Sequence, residues 1–203
     1  MKSKIGIFAG AFDPVHAGHI TFALQAAKEA KLTKVVFLPE RRPRNKPAVE
    51  HFGHRTAMIT RAIRPYQNLA LLELPDLSFD VPHTLPKLQK EFPDAALVFL
   101  MGSDAAQKLT SPSWSPDELS TYLQTAGLII AMRKSDDLTT IQKTLADLPV
   151  QPRSVHSITT SEQHISSSKI RQALRRNQPT TGLLPSVYRY TRDQWLYASL
   201  TKG

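Results

Sequence analysis

Short apolar runs alternate along this chain with segments of helical pattern, and this alternation restricts the possible fold more than any other feature. The runs lie at 4–9, 34–38, 69–72, 96–101 and 128–132. Short apolar runs bounded by turn residues predict buried strands. The segments between them predict helices over 20–31, 52–63, 84–92, 116–123 and 137–145, the last opened by a capping cluster at 135–137. We therefore expect a Rossmann-like, doubly wound α/β fold, with a parallel sheet covered by helices on both faces.

Length and composition favour one domain without membrane segments. The 203 residues can form a single domain over 1–203, with an α/β core at about 1–160 and a smaller part with helices at 161–203. The chain has no cysteine, which fits a reducing compartment, and no apolar run approaches the ~20 residues that span a membrane. The first residues run directly into a strand, so we expect a cytoplasmic protein with no membrane partner.

The motif GAFDPVHAGH at 10–19 lies between the first predicted strand and the first predicted helix. At such a turn, free backbone N–H groups and the helix dipole favour an anion, and Gly10 and Gly18 let phosphate oxygens approach the backbone. His16 and His19 are three residues apart, so a helix beginning near Ala17 places both imidazoles on one side of its first turn. The motif therefore predicts a phosphate site.

The two histidines also have other interpretations. A His-x-x-His pair can ligate zinc, but a zinc site needs three or four protein ligands and no cysteine or suitably spaced acid completes one, so no metal held by side chains is expected. A capping pair at the helix start is the simpler structural alternative. Asp13 fits a loop brace that accepts hydrogen bonds from backbone amides better than a catalyst, since a carboxylate beside polyphosphate would repel it.

A second phosphate-type motif, ISSSKIR, occupies 165–171. Serines before a helix form an N-cap, and Ser166 and Ser167 also offer hydroxyl and amide donors to an anion. Arg171 would face the same way and supply a planar fork for phosphate oxygens. Alone, such a cap is most often structural; together with the first motif it becomes specific.

The formal net charge of +9 comes in part from two basic clusters, at 41–46 and 169–176. Neither contains the interleaved aromatic residues of a single-strand binding surface, so a small, highly charged ligand is expected rather than nucleic acid. A solvated basic surface is the alternative. The loop over 41–50 is long, basic and proline-spaced, and predicts a mobile flap over the ligand.

Both motifs resemble those of the adenylyl- and cytidylyltransferase superfamily, Gly-x-Phe-Asp-Pro-x-His-x-Gly-His and Ile-Ser-Ser-Ser/Thr-x-Ile-Arg. Within it, the chain is most similar to the bacterial nicotinate-nucleotide adenylyltransferases. Segments at 54–58, 79–85, 102–104, 128–133 and 183–187 also resemble that family. Two loops depart from it: 39–46 is far more basic than the family's Pro-Ala-x-x-Pro-Pro-His-Lys, and 80–84 replaces its Ser-Tyr-Thr. In the family these two loops contact the substrate other than ATP.

The resemblance assigns roles to particular positions. It implies catalytic roles for His19, which would contact the α-phosphate, and His16. The ATP site that it implies comprises Gly10, Phe12, His16, Gly18, His19, Gly102, Asp104, Ser166, Ser167 and Arg171. The acceptor site that it implies comprises Lys46, Arg42, His83, Thr84, Trp114 and Arg133.

Several of these residues keep a structural alternative. Asp104 fits a helix N-cap as well as a ribose-hydroxyl acceptor. Trp114 lies in a loop, where it is either a lid over the core or a stacking surface; the resemblance favours stacking. The amides of His83 and Thr84 could receive a carboxylate, although helix capping is their default role.

The function implied is transfer of AMP from ATP to nicotinate mononucleotide, giving deamido-NAD and pyrophosphate. Mg²⁺ carried by the ATP phosphates would be the cofactor, and ATP and a pyridine mononucleotide would be the partners. One alternative is another nucleotidyltransferase, acting on nicotinamide mononucleotide, phosphopantetheine or a phosphorylated alcohol. A second is a non-catalytic regulator that binds nucleotide or nucleic acid. The oligomeric state stays open.

Overall fold

The computed structural model describes residues 3–44, 46, 48–132, 138–160, 162 and 164–198. Six parallel strands form one sheet, β1 (Ser3–Gly10), β2 (Lys34–Pro39), β3 (Leu69–Leu71), β4 (Ala95–Gly102), β5 (Gly127–Met132) and β6 (Val155–Thr159). The strand order is β3-β2-β1-β4-β5-β6. The chain thus reverses its winding direction between β1 and β4, as in a Rossmann-like fold, and the predicted fold class is confirmed.

The described helices are α1 (Ala17–Glu29), α2 (Phe52–Ile63), α3 (Val81–Glu91), α4 (Ser103–Ala106), α5 (Pro116–Thr125), α6 (Leu138–Ala146), α7 (Ser167–Arg175) and α8 (Pro185–Asp193), with a 3₁₀ helix at Gln107–Thr110. α2 has the predicted bounds. α3 begins three residues earlier than predicted, because the Asp80 side chain caps it and a proline occupies its first turn. The cluster expected to cap α6, at 135–137, lies outside the described residues.

Alternate side chains of each central strand enter different cores, as the period of two in a strand requires. Val35 and Phe37 of β2 pack with α1, α2 and α8 on one face of the sheet. Val36 and Leu38 pack with α3 and α5 on the other face. The sheet is therefore packed between two apolar layers. The carboxyl ends of its strands continue into loops. No helix in the described part of the chain is both long and apolar enough to cross a membrane.

The sequence prediction missed β6. This strand pairs with β5 at the edge of the sheet, and of its five residues only Ile158 is buried. An edge strand that is largely exposed has no need of the apolar run by which the other strands are recognised.

Candidate active site

A cavity of about 730 Å³ opens at the carboxyl edge of the sheet, where the winding direction reverses. The ends of β1, β4 and β5 border it, together with the starts of α1 and α7. Both phosphate-type motifs therefore lie on one cavity, although they are about 150 positions apart in the sequence. The predicted site residues that line it are Gly10, Phe12, His16, Gly18, His19, Lys46, Gly102, Asp104, Ser166, Ser167 and Arg171.

The two histidines of the first motif stack on each other at the start of α1. The helix begins at Ala17, three residues before the predicted stretch, with His16 as its N-cap, and the two ring centroids are 3.7 Å apart. The backbone N–H of His16 donates to Nδ1 of His19 at 3.2 Å. Gly18 permits this packing, because a Cβ there would lie 3.1 Å from Nδ1 of His16 and 3.3 Å from the carbonyl oxygen of Glu162.

Burial keeps both imidazoles neutral near pH 7. It lowers the pKa of His16 to about 4. The pKa of His19 is also well below its usual value, first through burial and then through the charges of His16 and Lys46. The rings of Phe8 and Phe12, with centroids 5.8 and 5.1 Å from that of His19, contribute to the burial. Since Nδ1 of His19 accepts a hydrogen bond, its neutral ring carries the proton on Nε2 and can donate it to a ligand.

The second motif binds the first one directly. Ser166 caps α7 by accepting a hydrogen bond from the backbone N–H of Lys169, as predicted. The Ser167 hydroxyl donates to the carbonyl oxygen of Pro14 at 3.0 Å, and Nη1 of Arg171 donates to the carbonyl oxygen of Asp13 at 2.6 Å. Part of the donor set that the sequence assigned to a ligand thus holds the two motifs together.

The Asp13 side chain braces the loop, the role favoured from sequence. It is 2% exposed, and its Oδ1 accepts from the backbone N–H of Glu50 at 3.3 Å and from the Tyr197 hydroxyl at 2.6 Å. Nη1 of Arg171 lies 3.7 Å from its Oδ2. The Tyr197 contact carries no sequence signal, because it joins residues 184 positions apart.

Sequence reasoning also missed Arg55 as a site residue. This arginine of α2 is fully buried, and its guanidinium donates to four backbone carbonyls at 2.6–3.0 Å. The acceptors are those of Ala11 in the first motif and of Glu40, Arg41 and Glu50 at the two ends of the flap. Arg55 therefore ties the base of the flap to the phosphate loop.

The flap has more anchors than its sequence indicated. Nε of Arg41 donates to the carbonyl oxygen of Leu74 at 3.1 Å, and its guanidinium lies over the ring of Phe52. The backbone N–H of Arg42 donates to the carbonyl oxygen of Leu77, and Nε of Arg44 donates to the Ser78 hydroxyl. The first half of the flap is thus held by the loop that follows β3, through contacts that the sequence did not indicate.

Four predicted acceptor residues lie outside the lining of this cavity. Arg42 is exposed on the flap. The backbone N–H of His83 donates to the Asp80 carboxylate and that of Thr84 to the Asp80 carbonyl oxygen, so both amides serve the cap of α3. Trp114 is half-buried and stacks on Tyr122, with ring centroids 5.4 Å apart. The remaining predicted acceptor residue, Arg133, lies outside the described residues.

Asp104 lines the cavity, but the helix-cap interpretation of it is wrong, because Gly102 is the N-cap of α4 and Asp104 lies within the first turn. Among the described residues, no group of three or more histidines or acids is arranged to hold a metal ion.

A Rossmann-like sheet whose switch-point cavity joins two phosphate-type segments defines a nucleotide-binding α/β protein. Comparison with known proteins narrows this class. Residues 7–173 match the family described as cytidylyltransferase-like. A probable nicotinate-nucleotide adenylyltransferase of Moorella thermoacetica is 31% identical over 98% of this chain and 94% of its own length. Another, of Neisseria gonorrhoeae, is 32% identical over 96% of this chain and 98% of its own length.

The fold has solved counterparts. A Plasmodium falciparum nicotinic acid mononucleotide adenylyltransferase, complexed with NaAD, superimposes with a TM-score of 0.78 at 21% identity, covering 96% of this chain and 97% of that one. The chain belongs to the cytidylyltransferase-like family and, within it, to the nicotinate-nucleotide adenylyltransferases. The resemblance drawn from the two motifs is thereby confirmed.

Proposed function

We propose that this enzyme transfers AMP from ATP to nicotinate mononucleotide, giving deamido-NAD and pyrophosphate. The observation that carries the proposal is the single cavity onto which both phosphate-type motifs open, with His16, His19, Lys46 and Arg171 on its wall. Its donors suit a polyanion, and its position at the switch point suits a nucleotide. The relatives described above are named nicotinate-nucleotide adenylyltransferases, which is the same kind of transfer.

The reaction requires alignment more than proton transfer. A phosphate oxygen of the acceptor, already anionic near neutral pH, attacks the α-phosphorus of ATP, and the bond to the β,γ-pyrophosphate breaks. Charge grows on the α-phosphate and on the leaving group, and Nε2–H of His19 donates to the α-phosphate. A neutral imidazole suits this role, because its donor stays in place without exchanging a proton.

The remaining donors hold the rest of the substrates. Lys46 binds phosphate oxygens from the flap side, and Arg171 binds the β,γ-phosphates with the N–H groups that its contact with Asp13 leaves available. Mg²⁺, when bound to ATP, would neutralise phosphate charge, and its ligands would be mainly phosphate oxygens and water. The acceptor base would stack on Trp114.

Pyrophosphate release tests the proposal. With Mg²⁺ and ATP, we expect turnover with nicotinate mononucleotide and deamido-NAD as the product on chromatography, with nicotinamide mononucleotide and phosphopantetheine as competing acceptors. His19→Ala should lower kcat at least ~10²-fold, as expected for one transition-state donor. His156→Ala, which removes an exposed histidine of β6, is the matched control and should keep wild-type kcat. Absence of turnover with every acceptor would overturn the proposal; preference for another acceptor would reassign the substrate.

Trp114→Ala separates the acceptor site from the ATP site. We expect a higher KM for nicotinate mononucleotide and an unchanged KM for ATP, because the loss of about 1–3 kcal/mol of ring stacking affects only the base. An unchanged acceptor KM would remove Trp114 from the site. The cytoplasmic location expected from the sequence stays a prediction.

A further inference from the structure

The carboxylate of Asp13 is a junction between three distant parts of the chain. Its Oδ1 accepts from the backbone N–H of Glu50, where the flap ends, and from the hydroxyl of Tyr197, in the turn after α8. Arg171 of the second motif donates to the Asp13 carbonyl oxygen. A change at this one side chain therefore reaches the flap and the second phosphate motif together.

Tyr197 is built into this junction. It is 7% exposed, it belongs to the apolar core that also contains side chains of α1 and α2, and its hydroxyl lies 2.6 Å from Oδ1 of Asp13. The pKa of this phenol is raised, first by burial and then by the charge of Asp13, so it stays protonated and can only donate to the carboxylate. A short bond from a buried hydroxyl to a carboxylate fixes the direction of the carboxyl group.

That direction determines how Asp13 meets Arg171. Oδ1 is held by Tyr197 and Glu50, and Oδ2 forms an ion pair with Arg171 at 3.7 Å from Nη1, beyond hydrogen-bond distance. Oδ2 is buried and has no hydrogen-bond partner within the described part of the chain. A carboxylate free to turn would close this gap and pair with Arg171 through both oxygens, the geometry that arginine favours.

We propose that Tyr197 is a positioning residue that, by holding the Asp13 carboxylate back from a hydrogen bond with Arg171, keeps that arginine available to the triphosphate of ATP. The inference rests on the proposed function, because it takes ATP as the ligand of Arg171. Tyr197 touches no substrate and acts through Asp13 alone.

Tyr197→Phe tests the inference, since it removes the hydroxyl and keeps the packed ring. ATP affinity is measured by isothermal titration calorimetry and, in turnover, as KM for ATP beside kcat. We expect the dissociation constant and KM for ATP to rise about 5-fold or more, the lower end of typical coupling between linked sites, with kcat little changed. Tyr190→Phe is the matched control: it removes a tyrosine hydroxyl of α8 that bonds His54 at 2.9 Å, away from the cavity, and should leave ATP affinity unchanged.

The Arg171→Ala background separates positioning from a general loss of structure. If Tyr197 acts on ATP through Arg171, adding Tyr197→Phe to Arg171→Ala should weaken ATP binding no further. Equal weakening in both backgrounds, or unchanged ATP affinity in Tyr197→Phe alone, would overturn the inference.

Asp13→Asn approaches the same link from the other side. It removes the charge with which Asp13 would capture Arg171, so adding Tyr197→Phe to Asp13→Asn should weaken ATP binding no further; a further 5-fold loss would count against the inference. A wild-type chain that binds no ATP would refute the proposed function itself. A wild-type chain that binds ATP as tightly as Tyr197→Phe does would refute only the role of Tyr197.

Discussion

Acid should destabilise this protein through His16 in a way that can be calculated. The side chain is 6% exposed, and burial lowers its pKa from 6.5 to about 4. Between these two pH values the unfolded chain takes up a proton at His16 and the folded chain does not. Stability is therefore lost as the pH falls from 6.5 to about 4 and levels off below that. At about 1.4 kcal/mol per pH unit, the loss amounts to about 3 kcal/mol.

His16→Asn isolates this contribution, because asparagine is a good N-cap and does not titrate. The free energy of unfolding is measured by urea titration, followed by tryptophan fluorescence, at pH 7, 6, 5 and 4. Relative to wild type, the variant should gain about 3 kcal/mol between pH 7 and pH 4. Because His16 also lowers the pKa of His19, relief of that coupling acts in the same direction.

An exposed histidine supplies the comparison. His156 is exposed on the edge strand β6, and His156→Asn, measured at the same pH values, is the control for the loss of a histidine away from the site. If the difference between His16→Asn and wild type is the same at every pH, His16 is not held neutral in the folded protein. The argument that burial fixes the charge of this pair would then fail.

Three further substitutions test the frame around the site. Arg55→Met should lower the free energy of unfolding by about 3 kcal/mol or more, because four backbone carbonyls lose their donor. Arg61→Met in the same helix should lower it by less than about 1 kcal/mol, and similar urea midpoints for the two variants would contradict this. Gly182→Ala should cost about 1–3 kcal/mol in thermal unfolding, because φ is 80° there and the added methyl would lie 2.4 Å from an isoleucine of the cavity wall; an unchanged melting temperature would be inconsistent with this packing. Lys46→Ala should raise the pKa of His19 in an NMR titration while leaving it below the usual value, since burial is the larger cause; no movement would place the Lys46 charge away from the ring.

The predictable parts of the fold are those in which one short segment determines its own structure. The apolar run of β2 alternates between two cores and has a strong signal, and α2 has a clear helical period with its bounds as expected. The edge strand β6 has no such local signal, because its first three residues are all exposed. Its register is set by pairing with β5. Such pairing depends on both strands, so the sequence of one strand alone does not predict it.

The same division applies to the site. The strand-to-helix turn with two glycines and two histidines is local, so a helix after it and the placement of both imidazoles on one side of its first turn follow from spacing. The anion site at this turn stays a prediction. The partners of Asp13 lie 37 and 184 positions away. No spacing rule reaches that far, and a tyrosine in the turn after α8 resembles any packing residue until the fold places its hydroxyl on a carboxylate.

The contacts between the motifs also change what the motif residues can do for a ligand. Sequence reasoning counts Ser167 and Arg171 as phosphate donors, yet the Ser167 hydroxyl and one N–H of Arg171 are already bonded to carbonyls of the first motif. A donor that is bonded in this way cannot also bind phosphate. It does fix the distance between the two phosphate-type motifs before ATP binds. The stabilisation of phosphate charge must then come from fewer donors: the remaining N–H groups of Arg171, Lys46 on the flap, and the Nε2–H of His19, which burial keeps neutral. A site of this kind depends on the orientation of each donor more than on their number, which is why residues that never touch ATP, such as Arg55 and Tyr197, should matter to it.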